Sequence, residues 1–224
     1  MYLTILMPCL NEEDSVGYCI KEAKEFMQSN NIDGEVLVVD NVSNDRSIER
    51  ALTTGARVIV CVDKGYGNAL IHGIKHAKGD YVIMGDCDGS YDFSELGNFT
   101  ESFESSDIVI GNRYTNLSEK GSLSLSHKLG GMFLSSIARL KTRNKVKDFH
   151  CGLRGGKTSV LRSLNLNSKG FEFATEMLLK ADKYNIAQFP IRYRKTIRTK
   201  CKSKLSPIKD GFRHLIYIWR YKVD

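Results

Sequence analysis

The chain lacks any apolar run approaching the roughly 18–20 residues that a bilayer-spanning helix needs, although 42% of its 224 residues are hydrophobic. The opening MYLTILMPCLNEE has neither the basic flank nor the small-residue cleavage site of a signal peptide, so a cytosolic location is expected. Cysteine pairs at metal-ligand spacing are also missing. Cys9, Cys19, Cys61, Cys87, Cys151 and Cys201 are scattered without a C-x-x-C, which argues against structural zinc and suits reduced thiols. No Walker loop occurs. The turn after the first apolar run is Met7-Pro8-Cys9-Leu10-Asn11 rather than a glycine fingerprint, and Gly65-Tyr66-Gly67 lacks the third glycine, so both common nucleotide folds lose ground. With no internal repeat, low-complexity tract or linker, one continuous domain is the expectation.

Short apolar runs alternate with amphipathic stretches. Strands are predicted over 2–7, 35–39, 57–62, 80–84 and 107–111. Helices are predicted up to about 28, then to Thr54 with Ser43 or Asn44 as cap, over 67–77, over 122–140 and around 172–184. A further strand is predicted over 187–193. This order indicates βαβ units and an α/β fold with a mostly parallel central sheet flanked by helices. In such sheets ligands bind beyond the carboxyl ends of the strands. Three polar turns follow predicted strands there: 8–12, 40–45 and 86–88.

The third turn carries the most chemistry. In GDYVIMGDCDGSYDF, Asp86 and Asp88 stand one residue apart where a buried strand should emerge. Paired carboxylates supply hard oxygen ligands to Mg²⁺ or Mn²⁺, which complete their shells with water and substrate phosphate. An Asp-x-Asp alone is weak, because Asp, Gly and Ser also build ordinary turns.

Charge is unevenly divided. Residues 1–110 carry a net −11 and residues 111–224 a net +18, giving the overall +7. A basic half can meet nucleic acid, an anionic membrane or substrate phosphates. Arg139, Lys141, Arg143, Lys145 and Lys147 alternate along one segment, and 192–204 holds seven Lys/Arg without an acid. Phe212, Leu215, Ile216 and Trp219 then recur at helical spacing. This fits either a helix packed on the core or a basic amphipathic element at a membrane surface.

Seven ordered motifs resemble family 2 glycosyltransferases of the GT-A fold, especially the dolichol- or polyprenyl-phosphate mannose and glucose synthases and their bacterial cell-envelope relatives. They are Met7-Pro8-x-Leu10-Asn11-Glu12-Glu13, Val38-Val39-Asp40-Asn41-x-Ser43-x-Asp45, Lys64-Gly65-x-Gly67-Asn68-Ala69, Gly85-Asp86-Cys87-Asp88, Gly111-Asn112-Arg113-Tyr114, Asp148-x-x-Cys151-Gly152-Leu153-Arg154 and Gly170-Phe171-Glu172-Phe173, closed by Ser203-Lys204-Leu205. The resemblance implies a Rossmann-like GT-A catalytic domain over 1–205, with 206–224 as an amphipathic basic helix. It implies that Pro8, Leu10, Glu12, Asp40, Asn41 and Lys64 serve the donor, with Pro8, Glu12 and Asp40 at base and ribose. Asp86, Cys87 and Asp88 lie at the metal and diphosphate, with Asp88 catalytic. Arg198, Ser203 and Lys204 match a cationic loop over the phosphates, and Arg113 a residue near the acceptor phosphate.

Two departures concern the site. Val42 replaces the glycine usual after Asp-Asn, and Ser90 stands where some relatives have a metal-binding Gln, so Ser90 or Asp92 is expected to stand in. Relatives often continue into transmembrane helices, whereas the sequence in hand ends at Asp224.

A sugar hydroxyl needs a general base, whereas a phosphate monoester, with a second pKa of about 6, is already largely dianionic. Arg113, the 139–147 run and Arg154 suit a lipid phosphate. Asp148 and Glu172 are the candidates for serving a hydroxyl, or else they orient the arginines; His150 and Cys151 are expected to shape their loop. The expectation is an inverting, Mg²⁺- or Mn²⁺-dependent transfer of hexose from a nucleoside diphosphate-sugar, GDP-mannose or UDP-glucose, to polyprenyl phosphate. It would take place at the cytoplasmic membrane face, directly or through a membrane-embedded partner, and without nucleic acid. The rivals are a saccharide hydroxyl as acceptor, and a non-enzymatic basic module binding anionic membrane or RNA.

Overall fold

The computed structural model describes residues 2–198 and 207–221. In chain order the elements are β1 (Tyr2–Cys9), α1 (Val16–Ser29), β2 (Asp33–Asp40), α2 (Ser47–Thr53), β3 (Arg57–Val60), α3 (Tyr66–His76), β4 (Tyr81–Met84) and α4 (Gly97–Glu101). They continue with β5 (Ile108–Asn112), α5 (Leu125–Arg139), β6 (Arg154–Lys157), α6 (Thr158–Ser163), α7 (Phe173–Lys180), β7 (Ile186–Pro190) and α8 (Pro207–Arg220). The seven strands form one sheet in the order β3-β2-β1-β4-β6-β5-β7.

Strand residues alternate faces, and each face finds its own core. From β1 and β2, Leu3, Ile5, Met7, Val36 and Val38 pack with Val16, Ile20 and Ala51 of α1 and α2. Leu6, Leu37 and Val39 turn the other way, onto Ala69, Leu70 and Ile74 of α3 and Phe173 and Met177 of α7. The sheet is therefore covered on both sides, which is why its central strands read as unbroken apolar runs.

Most pairings are parallel, but β6 runs antiparallel to both β4 and β5. The sequence reading missed β6, because Arg-Gly-Gly-Lys has no strand pattern, and it missed α4 and α6, which are too short to show a helical period. The glycines are there for close approach: a Cβ on Gly155 would stand 2.2 Å from the Val82 carbonyl oxygen, and one on Gly156 2.4 Å from that of Asp107. Reversal of β6 pairs Met84 with Arg154 and Arg154 with Ile110. The loop entering β6 thus reaches the same sheet edge as the ends of β1, β2, β4, β5 and β7.

Other boundaries shift for local reasons. The helix expected to be capped by Ser43 or Asn44 starts at Ser47, whose amide and hydroxyl both donate to Asp45 Oδ1. Ser43 and Asn44 instead tie to Asn11 across the turn. The last strand ends at Pro190, and Tyr193 makes only an isolated bridge with Tyr91. α8 packs along α5 and α7.

Candidate active site

At the carboxyl edge the turn after β1 and the turn after β2 are laced together. The Asn11 amide donates to Ser43 Oγ at 2.9 Å, the Glu12 amide to Ser47 Oγ at 2.7 Å and the Glu13 amide to Asp45 Oδ2 at 3.1 Å. Asp40 is fully buried; its Oδ1 accepts the Ser43 amide, while its Oδ2 has no hydrogen-bond partner among the described residues. A buried carboxylate oxygen without a donor is costly unless a ligand supplies one. A cavity of about 120 Å³ lies alongside, lined by Asn11, Glu12, Glu13, Asp14, Asn44, Asp45 and Arg198.

Several expected donor residues act through the backbone. Asn41 donates its amide group to the Cys61 and Asp63 carbonyls and accepts the Gly65 amide, so its side chain holds the β3–α3 turn. Lys64 is exposed on that turn. Cys87 corrects its expected role: the side chain is buried, with Sγ 3.2 Å from the Pro8 carbonyl. Pro8 and Leu10 sit at the end of β1 and the start of its turn, beside these groups.

Asp86 has its Oδ1 buried with no hydrogen-bond partner among the described residues. Burial, then the neighbouring Asp88 charge, pushes its carboxyl up to about 6. Asp88 Oδ1 accepts the Ser90 amide and hydroxyl, while Oδ2 lies 3.3 Å from Arg198 Nη2. Ser90 therefore braces Asp88. Asp92 departs from the expected stand-in role, because it is bound by Ser94 and Arg194. No group of three or more His, Cys, Asp or Glu suited to a metal occurs among the described residues. Two carboxylates, one with an orphaned buried oxygen, nonetheless fit an ion that takes its other ligands from water and a bound phosphate.

The segment after β7 straps over this turn. The Arg194 amide donates to the Ser90 carbonyl and the Ile197 amide and Thr196 Oγ1 donate to that of Asp88. Gly89 leaves room for it, since a Cβ there would sit 2.6 Å from Ile197 Cγ1. Within the strap, Arg198 Nη2 lies 2.6 Å from Glu12 Oε1. Ser203 and Lys204 lie outside the described residues.

Across the edge, Arg113 grips Asp148 with two bonds, Nε to Oδ2 at 2.8 Å and Nη2 to Oδ1 at 2.9 Å. The guanidinium lies over the Tyr193 ring at 5.5 Å, and its charge reaches Asp86. Asp148 is fully buried and also accepts the amides of Arg113 and His150, which leaves it no role as a base. Arg154 is a second correction. Its guanidinium is buried and donates to the carbonyls of Cys151, Ala174 and Phe149, so it braces the loop and presents no charge to an acceptor. Glu172 accepts the Gly170 amide through Oε1, and its Oε2 is buried without a hydrogen-bond partner among the described residues.

Sequence reasoning missed Tyr66, whose phenol stands beside Asp86, and Tyr91, whose hydroxyl accepts the Gly152 amide at 2.7 Å. Tyr66 occupies the unspecified place in Lys64-Gly65-x-Gly67, and Tyr91 follows the carboxylate pair by three residues. Nothing in periodicity marks either.

A doubly covered mixed sheet with its acidic turns on one edge is a GT-A glycosyltransferase architecture. Structural comparison agrees: glucosyl-3-phosphoglycerate synthase from Mycobacterium tuberculosis, crystallised with Mn²⁺, UDP-glucose and phosphoglyceric acid, superposes with a TM-score of 0.77. That match covers 97% of this chain and 79% of that one at 19% identity. The family model for glycosyl transferase family 2 matches residues 4–164, and the chain belongs to that family. A low-salt glycan biosynthesis hexosyltransferase of Haloferax volcanii is 33% identical over 96% of this chain and 52% of its own length. The dolichol-phosphate mannosyltransferase of Pyrococcus furiosus is 27% identical over 100% and 66%. The chain thus spans about half to two thirds of these two relatives.

Proposed function

We propose that the protein is an inverting, divalent-metal-dependent hexosyltransferase that uses a nucleoside diphosphate-sugar and delivers the hexose to a polyprenyl phosphate. The observation that carries this reading is the Arg113–Asp148 pair: the conspicuous carboxylate on the acceptor side is spent on holding an arginine. A site that offers a braced cation suits an acceptor that arrives ionised.

In this reading Asp40 and Glu12 take the nucleoside side, and Asp86 and Asp88 hold the ion. When bound, the ion would offset the charge of the leaving diphosphate. Arg198, now on Glu12 and Asp88, can move onto the phosphates. Arg113 orients the acceptor phosphate. One of its oxygens attacks the anomeric carbon from the face opposite the diphosphate, which departs with the bonding electron pair and inverts that carbon. The relatives' names support the acceptor class, since they include a dolichyl-phosphate hexose transferase of Haloferax volcanii.

Docking on an anionic membrane at the cytoplasmic face is part of the proposal. No helix among the described residues is long and apolar enough to cross a membrane. Phe212, Ile216 and Trp219 face outward on α8, with Trp219 85% exposed, and Leu125, Leu129 and Phe133 do so on the adjoining α5. The 139–147 cations leave the end of α5, which matches charge to an anionic surface.

Radiolabelled GDP-mannose or UDP-glucose, supplied with Mn²⁺ and polyprenyl monophosphate, should yield an organic-extractable, mild-acid-labile product. Label appearing only on saccharide hydroxyls would overturn the acceptor assignment.

A further inference from the structure

One polar chain away from the carboxylate turns serves nothing described so far. Thr175 lies in the first turn of α7, fully buried, with Oγ1 2.7 Å from His214 Nδ1 and 3.2 Å from His150 Nε2. His214 is on the inward face of α8, and His150 is in the loop before β6; their rings meet edge-on with centroids 4.5 Å apart. Ser135 of α5 accepts the Phe149 amide at 3.2 Å and stands 3.5 Å from His150 Nδ1. The His150 amide donates to Asp148 Oδ1, the oxygen that also receives Arg113 Nη2.

We propose that Thr175 is a positioning residue that couples the seating of α8 to the Arg113–Asp148 pair. This inference deepens, and rests on, the acceptor reading above. A hydroxyl has one proton, so Thr175 can donate to one imidazole nitrogen while accepting from the N–H of the other. That arrangement suits two neutral rings with matched tautomers. Burial favours the neutral form of both rings, and Arg154 opposes a proton on either and Arg113 one on His150, which outweighs Glu172 and Asp210 beside His214.

Apolar side chains of equal volume would hold α8 without the cost of burying four polar side chains. What the polar chain adds is a single permitted orientation, because each bond must be satisfied at once. α8 carries His214 inward and Phe212, Ile216 and Trp219 outward. A surface that takes the outer face therefore sets the helix, and the helix sets the loop that holds Arg113.

Thr175→Val keeps the shape and deletes both bonds. In hydrogen–deuterium exchange on the full chain alone, the variant should speed exchange together at the Phe149 and His150 amides and along α8, with the 86–90 turn unchanged. With decaprenyl phosphate as acceptor, its acceptor KM should rise about tenfold, the scale of one or two lost hydrogen bonds. Donor affinity measured by calorimetry should stay put. Thr175→Ser, which retains the hydroxyl, should restore both readouts, and His214→Gln carries the same test if the valine variant does not fold. Faster exchange confined to α8, or equal loss of donor and acceptor binding, overturns the proposal. Absence of wild-type turnover with decaprenyl phosphate would instead remove the acceptor reading, and the exchange pattern would still decide the coupling.

Discussion

Asp40 Oδ1 accepts the backbone amide of Ser43 at 2.9 Å, and the chain reaches that contact only by holding the intervening Val42 at a φ of +67°. A β-branched residue in the left-handed region is strained by about 1–2 kcal/mol. The turn fixes the Asp40 carboxylate through Oδ1, so the strain is tied to the site.

Val42→Gly should therefore stabilise the protein. The side chain is exposed, so little packing is lost, and glycine gives back part of the gain through unfolded-state entropy. The expected net is about 0.5–1 kcal/mol, a rise of roughly 2–3 °C in Tm for a chain of this size. An unchanged or lower Tm would contradict the strain assignment.

Arg154→Met should destabilise the fold strongly although the guanidinium makes no salt bridge with an acid among the described residues. The Cys151, Ala174 and Phe149 carbonyls lose their donor. About 3 kcal/mol is expected, read as a lowered denaturant midpoint at constant slope. A variant that kept its stability but lost only acceptor binding would return Arg154 to the site.

Asp88→Ala should lower the Tm of the protein alone by a few degrees, because its half-buried carboxylate accepts the Ser90 amide and hydroxyl and pairs with Arg198. Mn²⁺ with a UDP- or GDP-sugar should raise the Tm of the wild type and fail to do so in the variant, and transfer should disappear. Undiminished turnover would refute the metal assignment.

Acid should loosen α8 before the rest. Burial pushes His214 down to about 4 and His150 below its usual range, against Arg113 and Arg154. Between an unfolded value near 6.5 and the folded one, the unfolded chain binds more protons, so stability falls as pH falls through that window. His214 alone would contribute about 3 kcal/mol across it. Chemical denaturation from pH 7 to 4 should show the decline, and His214→Gln should flatten it.

The convergence of the acidic turns, the proposed donor half of the candidate site, was legible because its chemistry is local. Asp40, Asp86 and Asp88 each end or follow an apolar run, and a parallel sheet brings such ends to one edge. The acceptor half was only partly legible, since it depends on β6, whose glycines are dictated by neighbouring backbone rather than by its own pattern. Arg154 shows the other limit: a guanidinium in a basic half reads as surface charge, and only the folded loop reveals that three carbonyls consume it. Asn41 and Cys87 were correctly placed at the edge but hold the turns through the chain's own backbone.

The reversed β6 has a practical side. Because it brings the 148–153 loop to the edge where the parallel strands end, the opposite edge carries none of the candidate site residues among those described. Connections there, at 30–32, 54–56, 77–80, 105–107 and 181–185, are spare ground. A fluorophore, a peptide tag or a spliced-in reporter placed at 54–55 would report on the enzyme from behind.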